Sequence, residues 1–289
     1  MKHLLLLIFA FCVSAACFGN DNGRISAVYT VRGELDKANG HIQGMCASGD
    51  AFYLSHQSGI FKLDNQGKLI KHIPVPVHTG DICYHDGKVY SAVAYYDKAR
   101  RGKGCIRVYD ADLNEINKYE LNKAADGITY LNGYLYFGIG PNPQKPHRIN
   151  RVARIKADFS DELEVTEIDI GYKTYFGVQT MCSDGEFLYM CFYAAENIGF
   201  AVYTPDLKLV KTGTFSASIG IDHLKINGRS TFIRLKSFYN WKKKESPQFR
   251  LDFHKYVDGN MVRISRNDPE KEREIKNNKN KNAAQRAKK

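Results

Sequence analysis

The chain repeats one short outline, since GMCASGDAFY at residues 44–53 returns as TMCSDGEFLY at residues 180–189. The outline recurs as DICYHDGKVY at residues 81–90, as GITYLNGYLY at residues 127–136 and, in shorter form, as DHLKING at residues 222–228. Each copy reads as an apolar strand, a tight turn that contains Gly, and a second strand with alternating aromatic side chains. This pattern is typical of a β-hairpin.

A second hairpin follows most of the first ones, with turns near residues 65–67, 110–112 and 205–206. The repeating unit therefore has four antiparallel strands. With Gln43, Asp81, Gly127, Gln179 and Asp222 taken as equivalent, successive units are 38, 46, 52 and 43 residues apart. Units of this size are typical of propeller blades. The sequence predicts an all-β fold, a five-bladed β-propeller of four-stranded antiparallel blades.

Competing architectures fit the sequence less well. A doubly wound fold needs amphipathic helices between its strands, and a sandwich needs no repeat of blade length. The strand at residues 25–32 is left over by the repeats. We expect it to complete the last blade, so that no long sheet edge is exposed.

The two ends of the chain differ from its middle. A basic start, the apolar run at residues 4–13 and the small side chains after it predict a secretory signal peptide at residues 1–16. Residues 265–289 contain one Ile and no aromatic residue, and predict a basic, flexible tail. The propeller domain is expected at residues 17–264. The protein is thus predicted to be exported to the periplasm, the medium or the cell surface. A lipid attached to Cys17 would be its only anchor to a membrane.

Composition and charge narrow the class of protein. The chain has 289 residues, of which 43% are hydrophobic, and this excludes a disordered or collagen-like protein. The formal net charge is +11, and residues 241–289 carry +8 of it. Because residues 265–289 of this segment contain no aromatic residue, no nucleic-acid partner is expected. We expect a monomer.

The cysteines form no disulfide or metal pattern. Without Cys12 and Cys17 an odd set of five remains, and none of them has CxxC spacing. Cys46, Cys83 and Cys182 lie in apolar strand-like runs, which predicts small buried side chains and no catalytic cysteine.

Two strand openings resemble those of a known family. IQGM at residues 42–45 and ADGIT at residues 125–129 are similar to stretches in the glutaminyl cyclotransferases, which are secreted five-bladed propellers. The resemblance implies the fold. Those enzymes surround their substrate with several tryptophans, whereas this chain has only Trp241, so the resemblance implies little about activity.

Polar residues at the starts of the inner strands predict the functional site, because these side chains converge on the mouth of a propeller's channel. The predicted catalytic residues are His41, His78, Asp81, Asp126, Tyr175 and His223. The predicted ligand-binding residues are Gln43, Gln179, Asp222, Arg100, Arg101 and Arg148. Basic loops at this mouth predict a rim that attracts an anion. No cofactor is required, although a metal held in the channel by His41, His78 and Asp222 is an alternative.

Three functions remain open at this point. The first is an enzyme acting on an acidic sugar or oligosaccharide, either a lyase with an imidazole or Tyr base, or a hydrolase with two carboxylates such as Asp81 with Asp126 or Asp222. The second is a non-catalytic binding or interaction propeller with the same mouth. The third is a glutaminyl cyclotransferase-like enzyme. The absence of GxSxG, HExxH and phosphate-loop patterns gives serine hydrolase, zinc protease and nucleotide chemistry no support.

Overall fold

The computed structural model describes residues 30–35, 40–75, 78–96, 102–140, 146–194, 199–239 and 246–264. Every helix or strand element in these residues is a β-strand. Within this part of the chain, no helix is long and apolar enough to cross a lipid bilayer. The predicted signal peptide, Cys17 and the basic tail lie outside the described residues.

An N-terminal strand, β1 (Thr30–Glu34), precedes five antiparallel meanders, which we call units one to five. Unit one comprises β2 (Ile42–Ala47), β3 (Ala51–His56), β4 (Gly59–Asp64) and β5 (Leu69–Pro74). Unit two comprises β6 (Thr79–His85), β7 (Lys88–Tyr96), β8 (Gly102–Asp110) and β9 (Glu115–Leu121). Unit three comprises β10 (Ala125–Leu131), β11 (Tyr134–Ile139), β12 (His147–Lys156) and the first half of β13 (Glu164–Ser183). Unit four comprises the second half of β13, β14 (Leu188–Ala194), β15 (Phe200–Tyr203) and β16 (Leu209–Gly213). Unit five comprises β17 (Ile221–Ile226), β18 (Arg229–Phe238), β19 (Gln248–Val257) and β20 (Asn260–Arg263).

The long strand β13 joins two units. Its first half pairs with β12 as the outer strand of unit three, and its second half pairs with β14 as the inner strand of unit four. The register shifts between Tyr175 and Val178, where Phe176 and Gly177 both have positive φ, 62° and 82°. This bulge bends the strand at the point where it turns from the outside of one unit to the inside of the next.

The first strand of each unit lines the centre of the molecule. These inner strands pack in sequence from β2 to β6, β10, the second half of β13 and β17, and β17 packs against β2. Strand β1 pairs with β19 of unit five, from Thr30 opposite Asp252 to Glu34 opposite Gln248. The leftover N-terminal strand thus completes the last unit, as the sequence predicts. This closed ring of antiparallel meanders confirms the all-β propeller prediction.

Tight turns between inner and second strands follow the turn chemistry of the sequence. Asn132 and Gly133, between β10 and β11, have φ of 51° and 90°. A two-residue turn of this hand needs positive φ at both positions, and Asn and Gly tolerate it best. The turns at residues 86–87 and 227–228 have the same property.

The apolar core lies between neighbouring units. Five buried clusters occur, each at the junction of two adjacent units. Cys46, Cys83 and Cys182 belong to these clusters, and all three are buried free thiols. Burial raises their pKa values well above the usual thiol range, so they pack as small apolar side chains, as predicted.

Candidate functional site at the two mouths of the channel

The inner strands run in the same direction around the channel. Gly44 lies beside Asp81, Gly80 lies beside Asp126, and Gly127 lies beside Thr180, so equivalent residues meet at equal heights. We call the end where the inner strands begin the upper mouth, which holds His41, Gln43, His78, Asp126 and Gln179. The opposite end is the lower mouth, formed by Ser48, Tyr84, His85, Tyr130, Asp222 and His223.

Asp81 lies buried in the channel between the two mouths. Its side chain has no solvent exposure, and its Oδ2 atom accepts hydrogen bonds from the backbone N–H groups of Ile128 (3.2 Å) and Met181 (2.9 Å). The space on the other side is equally tight, since a Cβ atom on Gly44 would lie 2.5 Å from Asp81 Cα. Asp81 therefore links strands β6, β10 and β13 at the centre of the ring.

The protonation of Asp81 follows from its burial. Burial raises the pKa of its carboxyl well above the usual range, the backbone N–H donors oppose this shift, and the nearby Asp126 carboxyl adds to it. The structure places this predicted catalytic residue beneath the upper mouth rather than on its surface. Its catalytic role stays a prediction.

An amide and two imidazoles form one hydrogen-bonded set at the upper mouth. Gln43 Nε2 lies 2.7 Å from His41 Nε2 and 2.9 Å from His78 Nε2. With the amide in this orientation Gln43 donates to both rings, so each neutral ring carries its proton on Nδ1. Burial is the largest cause that lowers the pKa of both imidazoles, because the imidazolium form is poorly solvated there. The structure thus brings these three predicted residues together, and their roles in catalysis and binding stay predictions.

A second polar pair faces the first across the upper mouth. Gln179 Nε2 donates to Asp126 Oδ2 at 3.1 Å and to the Phe176 carbonyl oxygen at 3.3 Å. Burial raises the pKa of Asp126 to about 8, although the bond from Gln179 acts in the opposite direction. At neutral pH this half-buried carboxyl therefore holds its proton and can donate it.

Aromatic side chains border the Asp126 side of the upper mouth. Phe176 is 43% exposed and meets the ring of Tyr193 edge-on at 5.9 Å. The Asp126 charge is among the causes that raise the Tyr193 pKa, after burial, so this phenol lies close to the carboxyl. The predicted residue Tyr175 is 37% exposed and is paired with Tyr193 across the strands. The sequence analysis did not identify Phe176 and Tyr193. The one sequence feature that points to them is the Phe-Gly pair at residues 176–177, which is typical of a break in a strand.

The lower mouth is an open cavity of about 320 Å³. His85 stacks on Tyr130 with ring centroids 3.3 Å apart. His223 Nε2 is 2.7 Å from the Ser230 hydroxyl. Asp222 Oδ2 accepts the Ala47 backbone N–H at 2.7 Å, and burial raises the Asp222 pKa to about 7. The cavity thus combines two carboxyl side chains, Asp86 and Asp222, with aromatic walls.

Asp222 and His223 do not join the other predicted site residues, and this prediction of a shared mouth is wrong. Counting from the hairpin turn made Asp222 equivalent to Asp81. In the structure Gly220 packs on Met45, where a Cβ atom would lie 2.8 Å from Met45 Cγ. The Asp222 carboxyl accepts the Ala47 backbone N–H and lines the cavity at the lower end of the channel.

The predicted basic rim is partly neutralised. Arg148 Nε donates to both carboxylate oxygens of Asp169, at 2.9 and 2.7 Å, and Arg151 pairs with Glu167. The arginine charges of β12 are thus paired with carboxylates of β13 and do not extend over the channel. Arg100 and Arg101 lie outside the described residues, so their role stays a prediction.

The three residues considered as metal ligands do not lie together in the structure. His41 and His78 are at the upper mouth and Asp222 is at the lower mouth. Among the residues that the structure describes, no group of three or more His, Cys, Asp or Glu side chains is arranged to hold a metal ion.

Solved structures share this architecture. No family model and no curated protein sequence matches the chain. The Myxococcus xanthus glutaminyl cyclase structure is similar over 82% of this chain and 99% of its own, with 10% identity and a TM-score of 0.50. The RS223 β-xylosidase covers 81% of this chain and 98% of its own, with 12% identity and a TM-score of 0.54. A thermostable family-43 glycoside hydrolase covers 82% and 95%, with 10% identity and a TM-score of 0.52. At these identities the likeness shows the propeller fold alone.

Proposed function

We propose that this protein is an exported propeller enzyme that binds an acidic sugar or oligosaccharide at the upper mouth. The observation that carries the proposal is Asp126, a half-buried carboxyl with a pKa of about 8 that is oriented by Gln179. It is a carboxylic acid that stays protonated at neutral pH, which is what a general acid requires.

The arrangement of carboxylates favours elimination over hydrolysis. A hydrolase of the two-carboxylate type needs a second carboxylate beside the same substrate. Asp81 is fully buried below the mouth, and Asp222 opens at the other end of the channel. The described upper mouth therefore supplies one acid, together with neutral imidazoles.

The proposed reaction is a lyase step on a uronate. An imidazole, His78 or His41, removes the proton on the carbon next to the sugar carboxylate, after Gln43 releases the ring nitrogen. The electron pair forms a carbon–carbon double bond as the glycosidic C–O bond breaks. Asp126 gives its proton to the departing oxygen. Arg100 and Arg101 are the proposed cations that neutralise the sugar carboxylate.

One observation favours a binding module as the second candidate. Gln43 occupies the Nε2 atoms of both imidazoles, an arrangement that suits hydrogen bonding to a ligand without proton transfer. A glutaminyl cyclotransferase-like activity is the third candidate and rests on the shared fold alone, since Trp241 lies outside the described residues.

A ligand panel separates these candidates. Thermal unfolding of the protein is measured with neutral and acidic oligosaccharides, and the absorbance of unsaturated uronates is followed in the same samples. A ligand that binds the native state raises the melting temperature by mass action. A rise confined to acidic sugars with new absorbance supports the lyase, and a rise without turnover supports the binding module. No rise with any acidic sugar, in protein shown to be folded, overturns the proposed ligand.

A further inference from the structure

A second pocket lies outside the channel, at the junction of units four and five. It has a volume of about 290 Å³, and its walls include Thr214, Phe215, Ser216, Arg234 and Asn260. None of the described residues that line it is acidic. The pocket therefore combines one cationic side chain with several hydrogen-bond donors.

Arg234 in this pocket forms no ion pair with a carboxylate of the described residues. Its guanidinium lies over the ring of Phe215, 5.0 Å from the centroid. In the described part of the chain no carboxylate forms an ion pair with it, and its Nε atom is buried without a hydrogen-bond partner. Burial lowers the pKa of Arg234, and the nearby Asp252 charge opposes this shift only in part.

The neighbouring carboxylate is already engaged. Asp252 is 2% exposed and pairs with Arg250 (3.0 Å) and with Arg263 (2.8 Å). Lys211 adds a cation at the pocket's edge, where its Nζ donates to the Asp258 carbonyl oxygen at 3.2 Å. This face of unit five thus has several cationic side chains around a single carboxylate, that of Asp252.

We propose that this pocket binds a small oxyanion, such as a phosphate, sulfate or carboxylate group. Arg234 supplies the charge, and its planar fork matches two oxygens of such a group. The hydroxyl groups of Thr214 and Ser216 and the amide of Asn260 supply further hydrogen bonds. This site is independent of the upper mouth and of the reaction proposed there.

The test measures thermal unfolding of the full-length protein in chloride buffer and after replacement of chloride by inorganic phosphate, inorganic sulfate or acetate at constant ionic strength. We expect the wild-type melting temperature to rise by a few degrees with at least one oxyanion. The variant Arg234→Met should lose this rise. Arg154→Met is the matched control, because Arg154 also lies over a ring, that of Tyr134, but is paired with Glu164. It should keep the full response.

A second variant guards against misfolding of the first. Asn260→Asp adds a carboxylate to the pocket from an exposed position. We expect it to raise the melting temperature in chloride, because the new charge acts as a built-in anion, and to abolish the response to added oxyanions. An unchanged response in either variant overturns the proposal, and so does the absence of any response in the wild type.

Discussion

The two mouths of the channel are built from the same inner strands, yet they offer different chemistry. The upper mouth ties Gln43 to two imidazoles and Gln179 to Asp126 by bonds of 2.7–3.1 Å. The lower mouth is an open cavity with stacked rings and two carboxyls, Asp86 and the more buried Asp222. Asp81 lies between the two mouths.

The difference shows that a step of a few residues along one inner strand changes which mouth, and so which ligand, a side chain can contact. Asp81 and Asp126 are separated from the lower cavity by two to four residues along their own strands. The Asp81 carboxyl accepts bonds from backbone N–H groups of two other inner strands, so it occupies the centre of the channel at that height.

The largest expected effect concerns the buried carboxyl between the mouths. Asp81→Ala removes the acceptor of two buried N–H groups, each of which costs about 1 to 3 kcal/mol when left unsatisfied. We expect a loss of about 4 kcal/mol in the free energy of unfolding, measured by urea denaturation. Asp81→Asn keeps one acceptor oxygen and should lose clearly less. If Asp81→Ala is as stable as wild type, the proposed link between the strands is wrong.

The second effect assigns the reaction to one mouth. Asp126→Asn cannot donate a proton but can still accept the bond from Gln179, so we expect turnover of an acidic oligosaccharide to fall by about 100-fold or more. The matched change at the lower mouth, Asp222→Asn, should leave turnover within about twofold. The reverse pattern would move the reactive site to the lower mouth.

The third effect is a fall in stability between pH 5 and pH 8. Asp126 and Asp222 have folded-state pKa values of about 8 and about 7, whereas both titrate near 4 in the unfolded chain. Their contribution is thus complete below about pH 4 and is lost as the pH rises through 7 and 8. Each group changes the unfolding free energy by at most about 1.4 kcal/mol per pH unit. Asp126→Asn and Asp222→Asn should each flatten this dependence, and an unchanged slope in both contradicts the burial of these carboxyls.

The smallest effect concerns the aromatic edge of the upper mouth. Phe176 holds a positive φ, a conformation that costs a non-glycine residue about 1 to 2 kcal/mol. Phe176→Gly should leave stability unchanged or raise it by about 1 kcal/mol, while weakening binding of the acidic ligand by about tenfold, since an exposed ring is lost. Titration calorimetry and unfolding of the same samples measure both. A variant that is less stable and binds normally would show that the ring supports the fold instead of the ligand.

Sequence reasoning reached part of the candidate site. His41, Gln43 and His78 share one hydrogen-bonded set, and Gln179 bonds Asp126, because polar residues at the starts of inner strands converge in a ring. It could not place Asp222, since a repeat count gives equivalent turns but not the bond from the Ala47 backbone N–H that holds this carboxyl at the lower cavity. It also could not see that Asp169 would engage Arg148.

The repeated hairpins, their Asn-Gly and Asp-Gly turns and the apolar alternation of the strands determined the propeller by themselves. These signals are local, because turn conformation and strand formation depend mainly on residues that are neighbours in the sequence. Only the tertiary structure decided that Asp81 bridges three inner strands, that Asp126 keeps its proton and that no carboxylate of the described residues pairs with Arg234. Those properties depend on burial and on contacts between units far apart in the sequence, which no local pattern records.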